Sequence, residues 1–124
     1  MKYRLHASQK IEFEIPDEWL SESGILDFRS SDALYVPARV EHNMFIVAIK
    51  DFEPTLRNGG IIKERMLDVL KAIKSKTPLP PVWVEYSKNW DYKYIIHDGY
   101  HRLFGSIVSG FTHVPACQVY WKHY

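Results

Sequence analysis

Residues 92–119 read YKYIIHDGYHRLFGSIVSGFTHVPACQV. A strand-length apolar run breaks at Asp98-Gly99, and a helical pattern starts at once. Tyr100, Leu103, Phe104, Ile107, Val108 and Phe111 recur at the spacing of one helix face, and Gly110 is placed to stop it. The apolar stretch from Val114 then reads as a strand. This strand, turn, helix, strand passage makes the fold mixed, and it sets His101 and Arg102 at the first turn of a helix.

Working outward, Val82 to Tyr86 reads as a strand joined to the next by the polar loop SKNWD (87–91). Ile62, Met66, Val69, Leu70 and Ile73 lie at helical spacing with charges on the opposite face, and the three prolines of TPLPP (77–81) end that helix. Asn58-Gly59-Gly60 marks a break before it, and MFIVAI (44–49) is an apolar run of strand length. In KIEFEI (10–15), Glu12 and Glu14 alternate with Ile11, Phe13 and Ile15, the period of a half-buried strand. A short helix follows between Pro16 and Gly24. ALYVPARV (33–40) fits a strand or an edge segment, since Pro37 argues against a central position. The expectation is a compact single-domain α/β (α+β) fold in which helices flank one small mixed sheet. Residues 1–44 form an N-terminal extension packed on a domain of residues 45–124.

With 124 residues the chain suits one hydrophobic core rather than two. Sixteen Lys and Arg against fifteen Asp and Glu leave a formal charge of +1, a poor match to a protein that grips nucleic acid through its phosphates. A lone cysteine, Cys117, allows no internal disulfide. The first residues lack the long apolar core of a secretory leader, and no apolar run has the roughly 20 residues of a membrane span. A cytoplasmic protein without membrane contact is expected.

At the DGYHR turn, Asp98 is placed to cap the helix, and Gly99 permits a positive φ and a close approach to the backbone. The first N–H groups of a helix have no partner within it, and the helix dipole adds partial positive charge there. His101 and Arg102 add a titratable donor and a fixed cation, a combination that suits a phosphate. The same residues fit a plain capped helix whose arginine pairs with a surface carboxylate, and residue chemistry alone favours that simpler arrangement.

From Leu79 to Val119 the chain resembles the ParB/sulfiredoxin superfamily. The resemblance rests on Pro80-Pro81, the strand Val82–Tyr86, the turn Gly99-Tyr100-His101-Arg102, the helix to Gly110 and the strand carrying Val114-Pro115-Ala116. It extends over about residues 45–121 and implies that superfamily's fold, with nucleotide phosphates bound at the turn. Gly99, His101 and Arg102 would hold ATP or another nucleotide, accompanied by Mg²⁺, and Arg65 stands near the place of a family lysine. Two hydroxyl residues of the family correspond to Asp68 and Ala72. The reactive cysteine of sulfiredoxins corresponds to Tyr100, which supplies no thiol, so sulfinic-acid reduction is not expected. ParB proteins clamp DNA with further segments after the nucleotide domain, and from a sequence read to Tyr124 that use of the fold is not expected.

The resemblance therefore implies a nucleotide- and phosphate-binding protein. An ATP-dependent phosphotransferase or hydrolase, with an unspecified small-molecule or protein acceptor, is the catalytic reading. A non-catalytic interaction module that retains the fold is the alternative, and nucleic-acid binding or a nuclease is the weaker third. Catalysis would draw on Glu53, Asp98 and His101, with Asp51 beside Glu53 after the strand; solvated loop carboxylates fit the same pair. His97 and His101 straddle the Asp98-Gly99 break, so they lack the one-face spacing of a zinc helix, and no structural metal held by protein ligands is expected. Lys71, Lys74 and Lys76 read as a solvated helix end, Trp83 and Trp121 as core, and Trp90 as the tryptophan free to stack on a base.

Overall fold

The computed structural model describes residues 1–4, 12–40 and 42–119. Two short strands, β1 (Lys2–Arg4) and β2 (Glu12–Glu14), pair antiparallel as a separate ribbon. Helix α1 (Asp17–Ser23) follows, closed by Gly24 in the left-handed region at φ 75°. Strand β3 (Met44–Ala48), helix α2 (Lys63–Ser75), strands β4 (Val82–Tyr86) and β5 (Tyr94–Asp98), helix α3 (Tyr100–Val108) and strand β6 (His113–Gln118) complete the chain. The fold class is mixed α+β. No helix among the described residues is long and apolar enough to cross a membrane.

The sheets differ from the expectation of one sheet. The main one has four strands in the order β3-β6-β4-β5, with β4 parallel to β6 and the other pairs antiparallel. KIEFEI contributes to the separate ribbon instead, with its alternation intact: Phe13 and Ile15 are buried while Glu12 and Glu14 face out. Ile11 and Trp121 lie outside the described residues. The apolar run at 44–48 is an edge strand whose outward residues Met44 and Ile46 are exposed. ALYVPARV makes a single bridge, Pro37 to Leu79, as an edge segment would. Pro115 is accommodated in β6 because the pairing with β4 begins one residue later, at Ala116.

The sheet is strongly curled. β3 and β5 are opposite edges, about 14 Å apart were the sheet flat. Yet the rings of Phe45 and Tyr94 stand 5.5 Å apart, and Phe52, just beyond β3, bridges to Tyr94. Glu53 N–H donates to Tyr94 O at 2.7 Å, which lays the chain after β3 along β5 toward the start of α3.

Helices α2 and α3 cover the concave face. Met66, Leu70, Leu103, Phe104, Val82, Val84 and Val114 are fully buried, and Phe13, Ile15, Leu20 and Tyr35 from the first 44 residues join the same core. The two helices meet at a glycine. A methyl on Gly105 would stand 2.5 Å from Val69 Cγ1, far inside van der Waals contact. Gly105→Ala should therefore cost stability by about 1–3 kcal/mol from overpacking, although alanine is the better helix former. In a Val69→Ala background the same change should be stabilising. Thermal or urea unfolding of the four variants measures this, and stabilisation by Gly105→Ala alone would mean that the contact does not limit helix packing.

Candidate functional site

β5 ends at Asp98, and the chain turns into α3 through Gly99 at φ 108°, ψ 28°. Two constraints select glycine. The backbone is left-handed, and a β-carbon would meet Val82 Cγ1 at 2.9 Å and Arg102 Nη2 at 3.0 Å. Gly99 itself is the N-cap, and no side chain caps the helix. Asp98 therefore does not play the capping role its position suggested; its side chain is exposed at the strand end. The first intrahelical bond joins Leu103 N–H to Gly99 O at 3.0 Å, so no side chain takes the N–H groups of the first turn.

The three residues after Gly99 each fasten a different segment. Tyr100 OH lies 3.3 Å from Thr55 Oγ1, on the chain that follows β3. His101 Nε2 accepts the backbone N–H of Ile62, the residue that opens α2, at 3.0 Å. Arg102 Nη2 donates to Pro81 O at 3.2 Å, just before β4, while its Nε is buried without a partner. Tyr35 stands beside Arg102 and donates to Pro80 O at 2.6 Å. Burial pushes the Tyr35 phenol well above its ordinary value, partly offset by the Arg102 charge.

His101 differs most from expectation. It is 8% exposed, and its pKa is lowered, first by burial and then by the charges of Arg57, Arg65 and Arg102. A ring nitrogen that accepts an N–H bond carries no proton, so His101 is the neutral Nδ1–H tautomer. It positions α2 against α3 rather than adding a second cation.

Between these elements lies a cavity of about 380 Å³. Arg57, Arg65 and Arg102 line it together with the backbone of Gly99, and Asp68 and Asp98 stand on its wall. Among the described residues none of the three arginines is in an ion pair. Arg65 arrives from the first turn of α2, Arg102 from α3 and Arg57 from the TLRNGG loop, where its Nη1 donates to Gly60 O at 3.1 Å. Two hollows elsewhere are larger, about 580 and 660 Å³, and neither gathers three arginines at a helix start.

Of the residues marked in the sequence, Gly99, His101, Arg102, Arg65 and Asp98 share this cavity. Glu53 does not line it, because its backbone pairs with Tyr94 at the far end of β5, and neighbouring Asp51 pairs with Lys93 at 3.8 Å. Arg57 escaped sequence reading: the Asn-Gly-Gly beside it signals a turn and says nothing of where the turn lands. Among the described residues no group of three or more His, Cys, Asp and Glu could hold a metal. Cys117 is buried in β6, and burial raises its thiol pKa, the reverse of a reactive cysteine. Trp90 is fully exposed at the β4–β5 turn, and Trp83 packs edge-on against His42.

The chain matches no protein-family model and no curated protein.

The lowered His101 pKa predicts a pH dependence. Above about pH 6.5, the ordinary imidazole value, the ring is neutral folded or unfolded and its contribution is constant. Below that, the unfolded chain takes up a proton that the folded state refuses. Stability should fall with pH, by up to about 1.4 kcal/mol per pH unit, until the folded pKa is passed. Urea unfolding between pH 7 and 5 should show a flatter profile for His101→Gln than for wild type. Identical slopes would mean that His101 is not held neutral.

Proposed function

We propose that this protein binds a nucleotide, or another phosphate ester, at the start of α3. One observation carries the reading: three arginines without ion-pair partners among the described residues converge on a helix start that no side chain caps. Their charge and the helix dipole favour a multiply charged anion, and Arg forks match phosphate oxygens. The order of Pro80-Pro81, strand, hairpin, Gly99-Tyr100-His101-Arg102 and helix supports a kinship with the ParB/sulfiredoxin superfamily, whose members bind nucleotides at this turn.

ATP with Mg²⁺ fits the donor set. The arginines and the Gly99 backbone would hold phosphates, and Asp68 and Asp98 are carboxylates of the sort Mg²⁺ takes in ones and twos beside phosphate oxygens. The metal would polarise the phosphoryl group. Sulfinic-acid reduction has no thiol here, since Tyr100 stands at the turn and Cys117 is buried.

In the catalytic reading, an ATP-dependent phosphotransferase or hydrolase, Asp98 and Asp68 are the carboxylates near the phosphates. The second reading, binding without turnover, is favoured by His101, whose Nε2 is committed to the Ile62 N–H.

Calorimetric titration with ATP, ADP, CTP and GTP, with and without Mg²⁺, tests the proposal. Saturable binding is expected, and Arg65→Ala, on an exposed position, should weaken it by about 1.5–3 kcal/mol, roughly ten- to a hundredfold. Unchanged affinity in Arg65→Ala, and likewise in Arg102→Lys, would sink the site. Nucleotide bound but recovered intact after long incubation would select the second reading.

A further inference from the structure

A second cavity, about 360 Å³, lies on the other side of Arg57. Phe13, Trp19, Ile61 and Phe104 give it apolar and aromatic walls, and the exposed residues Glu12 and Glu14 of β2 also line it. Its size falls within the range of about 300–1,000 Å³ typical of small-molecule sites. Arg57 lines both cavities. The Tyr100 ring, on the wall of the arginine cavity, stands edge-on to the Phe104 ring at 5.8 Å, and Phe104 lines this one. One arginine and one pair of rings thus separate a strongly cationic hollow from an aromatic one.

We infer that the aromatic cavity takes the base of the nucleotide whose phosphates lie on Arg57, Arg65 and Arg102, and that it selects bases bearing an amino group. The inference rests on the phosphate-binding reading and deepens it. A base needs a flat apolar slot beside the phosphate site, and Trp19 supplies a ring on which to stack. The carboxylates set the preference. Glu12 is engaged by Arg4 Nε at 3.2 Å, whereas Glu14 makes no ion pair among the described residues. An ionised carboxylate only accepts hydrogen bonds, so it favours the N–H₂ groups of adenine, cytosine and guanine. Uracil has no N–H₂ group, and its one ring N–H stands between two carbonyl oxygens that a carboxylate repels, so it is disfavoured. Residues 12–19, which lie outside the resemblance, would then be what reads the base.

The test is calorimetric titration of the full chain with tripolyphosphate, ATP, CTP, GTP and UTP. Wild type should bind ATP, CTP and GTP more tightly than tripolyphosphate or UTP. Trp19→Ala should lose about tenfold for the three amine-bearing nucleotides, the scale of one base stack, and leave tripolyphosphate unchanged. Glu14→Gln, on an exposed strand position where folding is not at stake, should narrow the gap to UTP. Tripolyphosphate bound as tightly as ATP, or equal affinity for UTP in wild type and Glu14→Gln, overturns this inference while Arg65-dependent tripolyphosphate binding leaves the phosphate site standing. No binding of any of the five overturns both.

Discussion

The hydrogen bond from Ile62 N–H to His101 Nε2, 3.0 Å long and between residues 39 apart in sequence, holds the starts of two helices together. The geometry of the cavity follows from it. Arg65 rides on the first turn of α2 and Arg102 on the first turn of α3, so tying the helix starts brings their guanidinium groups to one hollow. Gly105 lets the helices approach at Val69, and Gly99 lets α3 begin against Val82. Bringing three cations together costs Coulomb energy unless solvent or an anion compensates. Keeping His101 neutral limits that cost, and the arginines themselves help to keep it so.

This answers why histidine and arginine follow one another at the helix start. Arg102 belongs to the charge of the site, although one of its nitrogens also fastens the chain before β4. His101 belongs to its architecture. Tyr100, where the resemblance places a reactive thiol, fastens the segment that carries Arg57 through Thr55. The turn is thus a junction of three segments, and its residues make sense as fasteners even before any ligand is considered.

Much of the fold was legible in local pattern. The helical spacing of Met66, Val69, Leu70 and Ile73 and of Leu103 and Phe104 marks residues that are buried, and the alternation around Phe13 survives as a strand. What local pattern does not hold is pairing. β6 lies between β3 and β4, β1 and β2 form a ribbon of their own, and the strand order leaves an apolar run as an edge whose outward residues are exposed. The site divides the same way. Gly99 and Arg102 could be marked from the sequence because a glycine turn and a helix start are local features, whereas Arg65 is marked only through the resemblance. Arg57 and the protonation state of His101 could not, since each depends on a partner far along the chain. Glu53 lies elsewhere for the same reason: its segment is registered by Tyr94.

The most direct test of an anion site at this junction is to record backbone amide spectra while titrating tripolyphosphate into the protein. Saturable shifts concentrated at Gly99, Tyr100, His101 and Arg102, with the Arg57 loop and the start of α2 moving alongside, are the predicted result. Shifts that never saturate, or that saturate at another part of the surface, would contradict it.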